Sequence, residues 1–276
     1  MRIAFTKMHG AGNDFVVLDG LTDEPRFNSL EIERLTDRRR GVGCDQLLVV
    51  LPARQSGADF SYRIFNSDGS EAEQCGNGVR CIARWLANRG HFKGTRARLG
   101  SKGGVVVVEL LDDGEVRADM GEPEFDPARI PFQAEQRAVS YALSVFGRNH
   151  DIGAVSMGNP HAVLRVPALA SAPVAQLGPE IENHPRFPQR ANVGFMQRVG
   201  SDRIKLRVHE RGVGETLACG TGACAAVAWG RLACELGPRV VVELPGGELV
   251  VEWAGEGAPA YMTGPAVQVY EGEIDL

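Results

Sequence analysis

Several things are missing from this 276-residue sequence, and each absence closes off a class of function. No stretch is apolar over the length that spans a bilayer, and the opening Met1-Arg2-Ile3-Ala4-Phe5-Thr6-Lys7-Met8-His9 has no apolar core of signal-peptide length. The expectation is a cytoplasmic protein with no membrane partner. Neither Cys-x-x-Cys nor His-Glu-x-x-His occurs; cysteines stand at positions 44, 75, 81, 219, 224 and 234. Their spacings do not suit zinc, so no metal site is expected, and a reducing cytosol disfavours structural disulfides. Excess basic charge is absent as well. The 30 Lys and Arg against 35 Asp and Glu leave a net charge of −5 spread along the chain, which argues against nucleic acid as a partner. The best basic cluster, Arg38-Arg39-Arg40, ends a predicted helix and reads as its solvated C-terminus. Low-complexity sequence is also lacking.

What is present is a repeat. Cys75-Gly76-Asn77-Gly78-Val79-Arg80-Cys81-Ile82-Ala83-Arg84-Trp85 is echoed by Cys219-Gly220-Thr221-Gly222-Ala223-Cys224-Ala225-Ala226-Val227-Ala228-Trp229, at an offset of 219 − 75 = 144. Asn13-Asp14-Phe15-Val16-Val17-Leu18 likewise returns as Asn159-Pro160-His161-Ala162-Val163-Leu164, and Gln46 as Asn192, at 159 − 13 = 146. The length allows two medium domains with cores of their own, and the echo favours two similar halves. Taken singly, each recurring amide is a turn or cap residue; recurring in pairs beside the cysteines, they point to ligand contacts.

Strands are predicted at residues 3–8 and 14–19, around a turn whose Gly-x-Gly lacks the third glycine and following helix of a dinucleotide site. Asn28 with Glu31 forms a capping-box pattern that opens a helix to about Arg39. Further strands are expected at Leu47–Leu51, Phe60–Asn66, Val105–Leu110, Glu115–Met120, Val139–Val145, Ala162–Val166, Asn192–Gln197, Ile204–His209, Val240–Leu244 and Glu248–Trp253, with a short helix at Val174–Gly178. The helix after Cys75 carries Val79, Ile82, Ala83 and Leu86 on one face and Arg80, Arg84 and Asn88 along another, which reads as a solvated stripe. The helix from Gly220 to about Cys234 is apolar almost all round up to Arg231, so it must be surrounded, and its small residues let a sheet wrap closely. Gly121–Pro127 interrupts the pattern and divides the chain into domains 1–122 and 123–263.

The first turn of a helix offers unpaired N–H groups and the positive end of the dipole. A cysteine there has its thiolate favoured, and the glycines after it let a ligand approach the backbone. Two such starts facing each other would hold a carboxylate between two thiols. That arrangement suits inversion of an amino-acid α-carbon: one thiolate removes the proton from one face, and the opposed thiol supplies a proton to the other. The converging N–H groups would stabilise the planar carbanion through its carboxylate. Cys75 and Cys219 are the candidates for this pair. Cys81, Cys224 and Cys234, inside helices, and Cys44 read as buried small hydrophobes.

At these residues the sequence closely resembles the diaminopimelate epimerases, cofactor-independent enzymes that interconvert LL- and meso-diaminopimelate on the route to lysine and peptidoglycan. The resemblance runs through Lys7-Met8-His9-Gly10-Ala11-Gly12-Asn13-Asp14-Phe15, Gly43-Cys44-Asp45-Gln46, Phe65-Asn66-Ser67-Asp68-Gly69-Ser70 and Glu73-Gln74-Cys75-Gly76-Asn77-Gly78 with Arg80-Cys81. It continues in Gly158-Asn159-Pro160-His161, His184-Pro185, Phe187-Pro188, Asn192-Val193, Glu210-Arg211-Gly212, Glu215-Thr216, Ala218-Cys219-Gly220-Thr221-Gly222 and Thr263-Gly264-Pro265. It implies that Cys75 and Cys219 are the acid/base thiols and that Gly76-Asn77 and Gly220-Thr221 bind the reacting α-carboxylate. Asn13, Gln46, Asn66, Asn159, Asn192, Glu210 and Arg211 would hold the substrate, Arg211 as partner of the distal carboxylate, while His161 and Glu210 tune the thiols. The implied fold is α+β, with two pseudo-symmetric domains, each a mixed β-sheet wrapped as a barrel around a central helix. Residues 264–276 would cross back to the first domain, and the site would lie in the cleft between the two. No cofactor is implied; the partner is a small-molecule substrate, and a homodimer is the family tendency. Proline racemases share the fold and the two cysteines, whereas the phenazine-pathway isomerase lacks the pair. Glu210-Arg211 favours a substrate with a second charged end, which proline does not have. Two further readings are a regulatory disulfide between the two thiols, against which the missing Cys-x-x-Cys weighs as the main role, and a binding module that retained the pocket and lost turnover.

Overall fold

An antiparallel hairpin opens the chain: β1 (Arg2–Gly10) turns through Ala11 and Gly12, at φ 50° and 83°, into β2 (Asn13–Asp19). Positive φ at both central residues matches the twist of a two-residue hairpin. The computed structural model describes residues 2–72, 75–233 and 236–276. Helix α1 (Ser29–Thr36) starts at a complete capping box, with Asn28 Oδ1 accepting from the Glu31 N–H at 3.0 Å and Glu31 Oε2 accepting from the Asn28 N–H at 2.9 Å. It stops at Thr36, short of the predicted Arg39, because Asp37 leaves the helical conformation. There follow β3 (Gln46–Pro52), β4 (Phe60–Asn66), the short β5 (Glu71–Ala72), α2 (Gly76–Asn88), β6 (Arg96–Ser101), β7 (Gly104–Leu110) and β8 (Val116–Asp119).

The second half contains β9 (Tyr141–Val145), β10 (Arg148–Ser156), β11 (Pro160–Arg165), α3 (Val174–Glu182), β12 (Asn192–Arg198), β13 (Arg203–Glu210) and β14 (Gly214–Thr216). Helix α4 (Gly220–Ala233), β15 (Arg239–Leu244), β16 (Gly247–Trp253), β17 (Ala260–Gly264) and β18 (Val267–Asp275) complete the chain. Two compact units result: Met1–Ala118 with Gly264–Leu276, and Asp119–Thr263. Among the described residues, no helix is long and apolar enough to cross a membrane.

Each unit is a mixed sheet with the same run of strand directions. In the first, β18, β1 and β2 are successively antiparallel, β2 runs parallel to β3, β3 antiparallel to β4, β4 parallel to β6, and β6 and β7 antiparallel to their next neighbours. In the second, β9, β10 and β11 are successively antiparallel, β11 runs parallel to β12, β12 antiparallel to β13, β13 parallel to β15, and β15 and β16 antiparallel to their next neighbours. The sequence echo is preserved in register. Phe15 lies opposite Gln46, and His161 opposite Asn192, so both members of the pair are displaced by 161 − 15 = 192 − 46 = 146.

Both sheets wrap a helix. α2 packs against β1, β2, β3, β7 and β18, and α4 against β10, β11, β12, β13 and β16. The recurring tryptophans anchor these contacts: Trp85 donates its indole N–H to Thr6 Oγ1 at 3.0 Å, and Trp229 donates to the Val139 carbonyl at 2.9 Å. Two sequence expectations need correction. Arg80 is fully buried, not part of a solvated stripe, because the main-chain carbonyls of Gly76 and Pro265 and the side-chain oxygen of Asn77 receive its guanidinium. α3 also runs past Gly178-Pro179 to Glu182, since Ile181 continues the apolar face begun by Val174 and Leu177.

Candidate active site

In the first unit, Cys75 is the N-cap of α2, in extended conformation and half-buried. The first N–H to bond back into the helix is that of Val79, to the Cys75 carbonyl at 3.0 Å, so the N–H groups of residues 76–78 face the helix end. The thiol donates to Asn13 Oδ1 at 3.7 Å, and Asn77 Nδ2 donates to the same oxygen at 3.2 Å. Asn77 is held from its other end by Arg80, whose Nη2 donates to Asn77 Oδ1 at 2.9 Å. Asn13 in turn donates to Asp45 Oδ2 at 2.9 Å. Gln46 and Asn66 meet across β3 and β4, with Gln46 Nε2 donating to Asn66 Oδ1 at 2.9 Å.

A charged cluster braces the hairpin that carries Asn13. Asp14 accepts from Lys7 and from Arg38, each at 2.6 Å, and Arg38 also reaches Asp45 at 2.7 Å. Burial alone would raise the Asp14 carboxyl, but the Arg38 and Lys7 hydrogen bonds outweigh it and hold Asp14 well below the usual carboxylate range. The first arginine of the Arg38-Arg39-Arg40 run is therefore committed to structure.

In the second unit, Cys219 directly precedes α4 and is only 4% exposed. Its sulfur accepts from the Gly222 N–H at 3.4 Å and touches Thr221 Oγ1 at 3.6 Å. Thr221 Oγ1 accepts from Asn159 Nδ2 at 3.5 Å, and His161 Nε2 lies 2.9 Å from Asn159 Oδ1. Glu210 is a hydrogen-bonding neighbour of the Cys219 thiol and accepts from Thr216 Oγ1 at 2.5 Å. Asn192 Oδ1 accepts the Arg211 N–H at 2.9 Å, which ties the start of β12 to the residue after β13. Cys219, Thr221, Asn159, His161 and Glu210 thus form one cluster, with Asn192 and Arg211 paired beside it.

The electrostatics of Cys219 run against the helix-start argument. Burial first, and then the charge of Glu210, push its thiol well above the ordinary value, outweighing the hydrogen bonds from Thr221 and Gly222. Cys219 rests protonated. His161 is pushed down to about 3 by burial and then by the charge of Arg211, so the ring is neutral. Its contact with the Asn159 carbonyl oxygen then places the one ring proton on Nε2, and Nδ1 has no hydrogen-bond partner among the described residues. A depressed imidazole pKa means that protonation requires acid well below neutrality. The His161 ring resonances should show no titration between about pH 5 and 8 in NMR; an inflection near the ordinary His value would contradict this environment.

The remaining cysteines behave as packing. Burial pushes the thiols of Cys44 and Cys81 up to about 12, and Cys224 is buried within α4. Cys234 lies outside the described residues, as do Glu73 and Gln74. Among the described residues, no group of three or more His, Cys, Asp or Glu is placed to hold a metal ion. Arg80, expected on a solvated stripe, instead braces Asn77, and its position three residues after Asn77 is the spacing of side chains that meet on a helix.

Comparison with known proteins adds the family. The model of the diaminopimelate epimerase family matches residues 5–125 and 153–269. The chain is 58% identical over 272 residues to the diaminopimelate epimerase of Halorhodospira halophila, covering 99% of this chain and 95% of the relative. It is 57% identical to that of Alkalilimnicola ehrlichii, with both chains covered completely. Among solved structures it resembles a hydroxyproline epimerase from Agrobacterium vitis with bound trans-4-OH-L-proline (TM-score 0.71, 18% identity, 99% of this chain and 92% of the other). It also resembles a predicted epimerase from Pseudomonas aeruginosa (TM-score 0.68, 17% identity, 99% of each chain). At those identities the structural likeness establishes the fold alone. The full-length matches at more than half identity, and the family model across both units, decide the matter: the chain belongs to the diaminopimelate epimerase family.

Proposed function

We propose that the chain interconverts LL- and meso-diaminopimelate, using Cys75 and Cys219 as the acid/base pair. The observation that carries this is the placement of each thiol directly before a helix, in units with matching strand order, Cys75 bonded to the recurring amide Asn13 and Cys219 linked to its counterpart Asn159 through Thr221. The Cys75 thiolate takes the α-proton, and the electron pair of the broken C–H bond moves into the carboxylate-stabilised carbanion. Cys219, resting as a thiol, gives its proton to the opposite face and is left as the thiolate. The reverse direction exchanges these roles.

The N–H groups of Gly76, Asn77, Gly220 and Thr221 stabilise the charge that develops on the reacting carboxylate. Glu210 holds the Cys219 proton until it is needed, and neutral His161 keeps the Asn159 amide turned toward Thr221. Gln46, Asn66, Asn192 and Arg211 bind the rest of the substrate, with the Arg211 fork suited to the distal carboxylate. The chemistry requires no cofactor. A cytoplasmic setting follows from the supply of this biosynthetic substrate. A homodimer is supported by β18, which pairs with β1 and leaves Val267, Val269 and Tyr270 exposed. The test compares LL-diaminopimelate with L-proline, following α-proton exchange into deuterium oxide: exchange and inversion of diaminopimelate alone are expected, and turnover of proline alone would refute the assignment.

A further inference from the structure

Glu182 is the last residue of α3 and is only 5% exposed. Its Oε1 accepts from the Gly212 N–H at 2.8 Å and from Arg190 Nη1 at 3.2 Å, while Oε2 lies 2.8 Å from His209 Nε2. Its main-chain carbonyl accepts from the Ala191 N–H at 3.2 Å. One residue therefore grips two separate segments, 190–191 and 209–212. Asn192 follows the first segment, Glu210 and Arg211 lie inside the second, and the Asn192–Arg211 hydrogen bond joins the two at 2.9 Å.

The grip is built at some cost. A buried carboxylate is expensive unless its lone pairs are satisfied, and an apolar side chain in the same place would serve stability at least as well. Gly178 on the same helix brings the His209 ring against α3: a Cβ there would lie 2.6 Å from His209 Cγ. Glu210 is less dependent on the grip, because it ends β13 and is also held by Thr216. Arg211 lies beyond the strand, and its backbone is fixed by Asn192 on one side and by Gly212, at φ 74°, on the other.

We infer that Glu182 is a positioning residue that sets Arg211 and Asn192 for the distal end of the substrate without touching it. This rests on the proposed role of Arg211 at the distal carboxylate.

The test is a steady-state comparison of the full chain carrying Glu182→Gln, Arg211→Met or both, with LL-diaminopimelate as substrate. Glu182→Gln is expected to raise KM about tenfold while kcat stays within about threefold, the pattern of lost binding rather than lost chemistry. In the double variant KM should exceed that of Arg211→Met by no more than about twofold, since the two changes act on one contact. Loss of stability alone would lower the active fraction and leave KM in place. A wild-type KM for Glu182→Gln, or effects that multiply in the double variant, would overturn the inference. A wild-type KM for Arg211→Met would instead overturn the role of Arg211 itself, and this inference with it. Should Glu182→Gln fail to fold, His209→Gln, which leaves the Gly212 and Arg190 contacts in place, is read against Arg211→Met in the same way.

Discussion

Cys75→Ser and Cys219→Ser are each expected to slow epimerisation by about 10²- to 10⁴-fold, the range that a positioned acid or base contributes. A serine hydroxyl keeps the shape of the side chain, but it is far less acidic than a thiol, so near neutral pH it offers almost no deprotonated base and is a poor proton donor. Folding should be nearly unaffected. Cys75 makes a long contact to Asn13 at 3.7 Å, and the partners of Cys219, Thr221 and Gly222, can bond a hydroxyl as well as a thiol. Loss of rate with an unchanged denaturation midpoint is therefore the signature. Solvent deuterium sharpens it, because a variant with one remaining thiol can still remove and return a proton on its own face. Each serine variant should wash deuterium into one stereoisomer with retention and leave the other untouched. Near-normal inversion by both variants would end the two-thiol mechanism.

Gly153→Ala is expected to destabilise the second unit by about 3 kcal/mol, the upper end of the cost of over-packing a core. Gly153 lies in β10, opposite Val163 of β11, and the Trp229 ring from α4 rests on its backbone. A Cβ at this position would fall 2.2 Å from Trp229 Cδ1 and Cγ. The strand cannot retreat without losing its ladder, and the ring cannot move without breaking its bond to the Val139 carbonyl. Gly194→Ala is the control. Its Cβ would meet Leu206 Cδ1 at 3.5 Å, an ordinary contact, and the change should cost less than about 1 kcal/mol. Urea titrations followed by tryptophan fluorescence separate the two, and equal midpoints for both variants would show that Trp229 does not lie over Gly153.

The doubled organisation was legible because it is written in local features that repeat: a cysteine before Gly-x-Gly, an amide at a strand start, a tryptophan one helix later. The preserved register of Phe15 with Gln46 and His161 with Asn192 is the physical form of that repeat. The strand β18 was not read as one, since Val267–Asp275 is exposed along most of its length and shows no clean alternation. Arg80 was assigned to solvent because periodicity sorts polar from apolar faces and cannot foresee a guanidinium folded onto carbonyl oxygens inside a unit. Cys219 shows the same limit in its chemistry. The helix start that favours a thiolate is local, whereas the burial and the Glu210 charge that oppose it come from tertiary packing. Glu182 left no trace, because Arg190, His209 and Gly212 are brought to it only by the fold.

The pairing of β18 with β1 also bears on how the molecule is made. From Arg2↔Asp275 to His9↔Val267, the first strand of the first unit pairs with β18, which follows the whole second unit in sequence. The second unit, by contrast, is contiguous from Asp119 to Thr263. The first unit cannot complete its sheet until β18 is present, whereas the second needs only one contiguous segment. The sheet that carries Cys75 thus depends on β18 to cover one edge of β1, a dependence on distant sequence that the unit carrying Cys219 does not share.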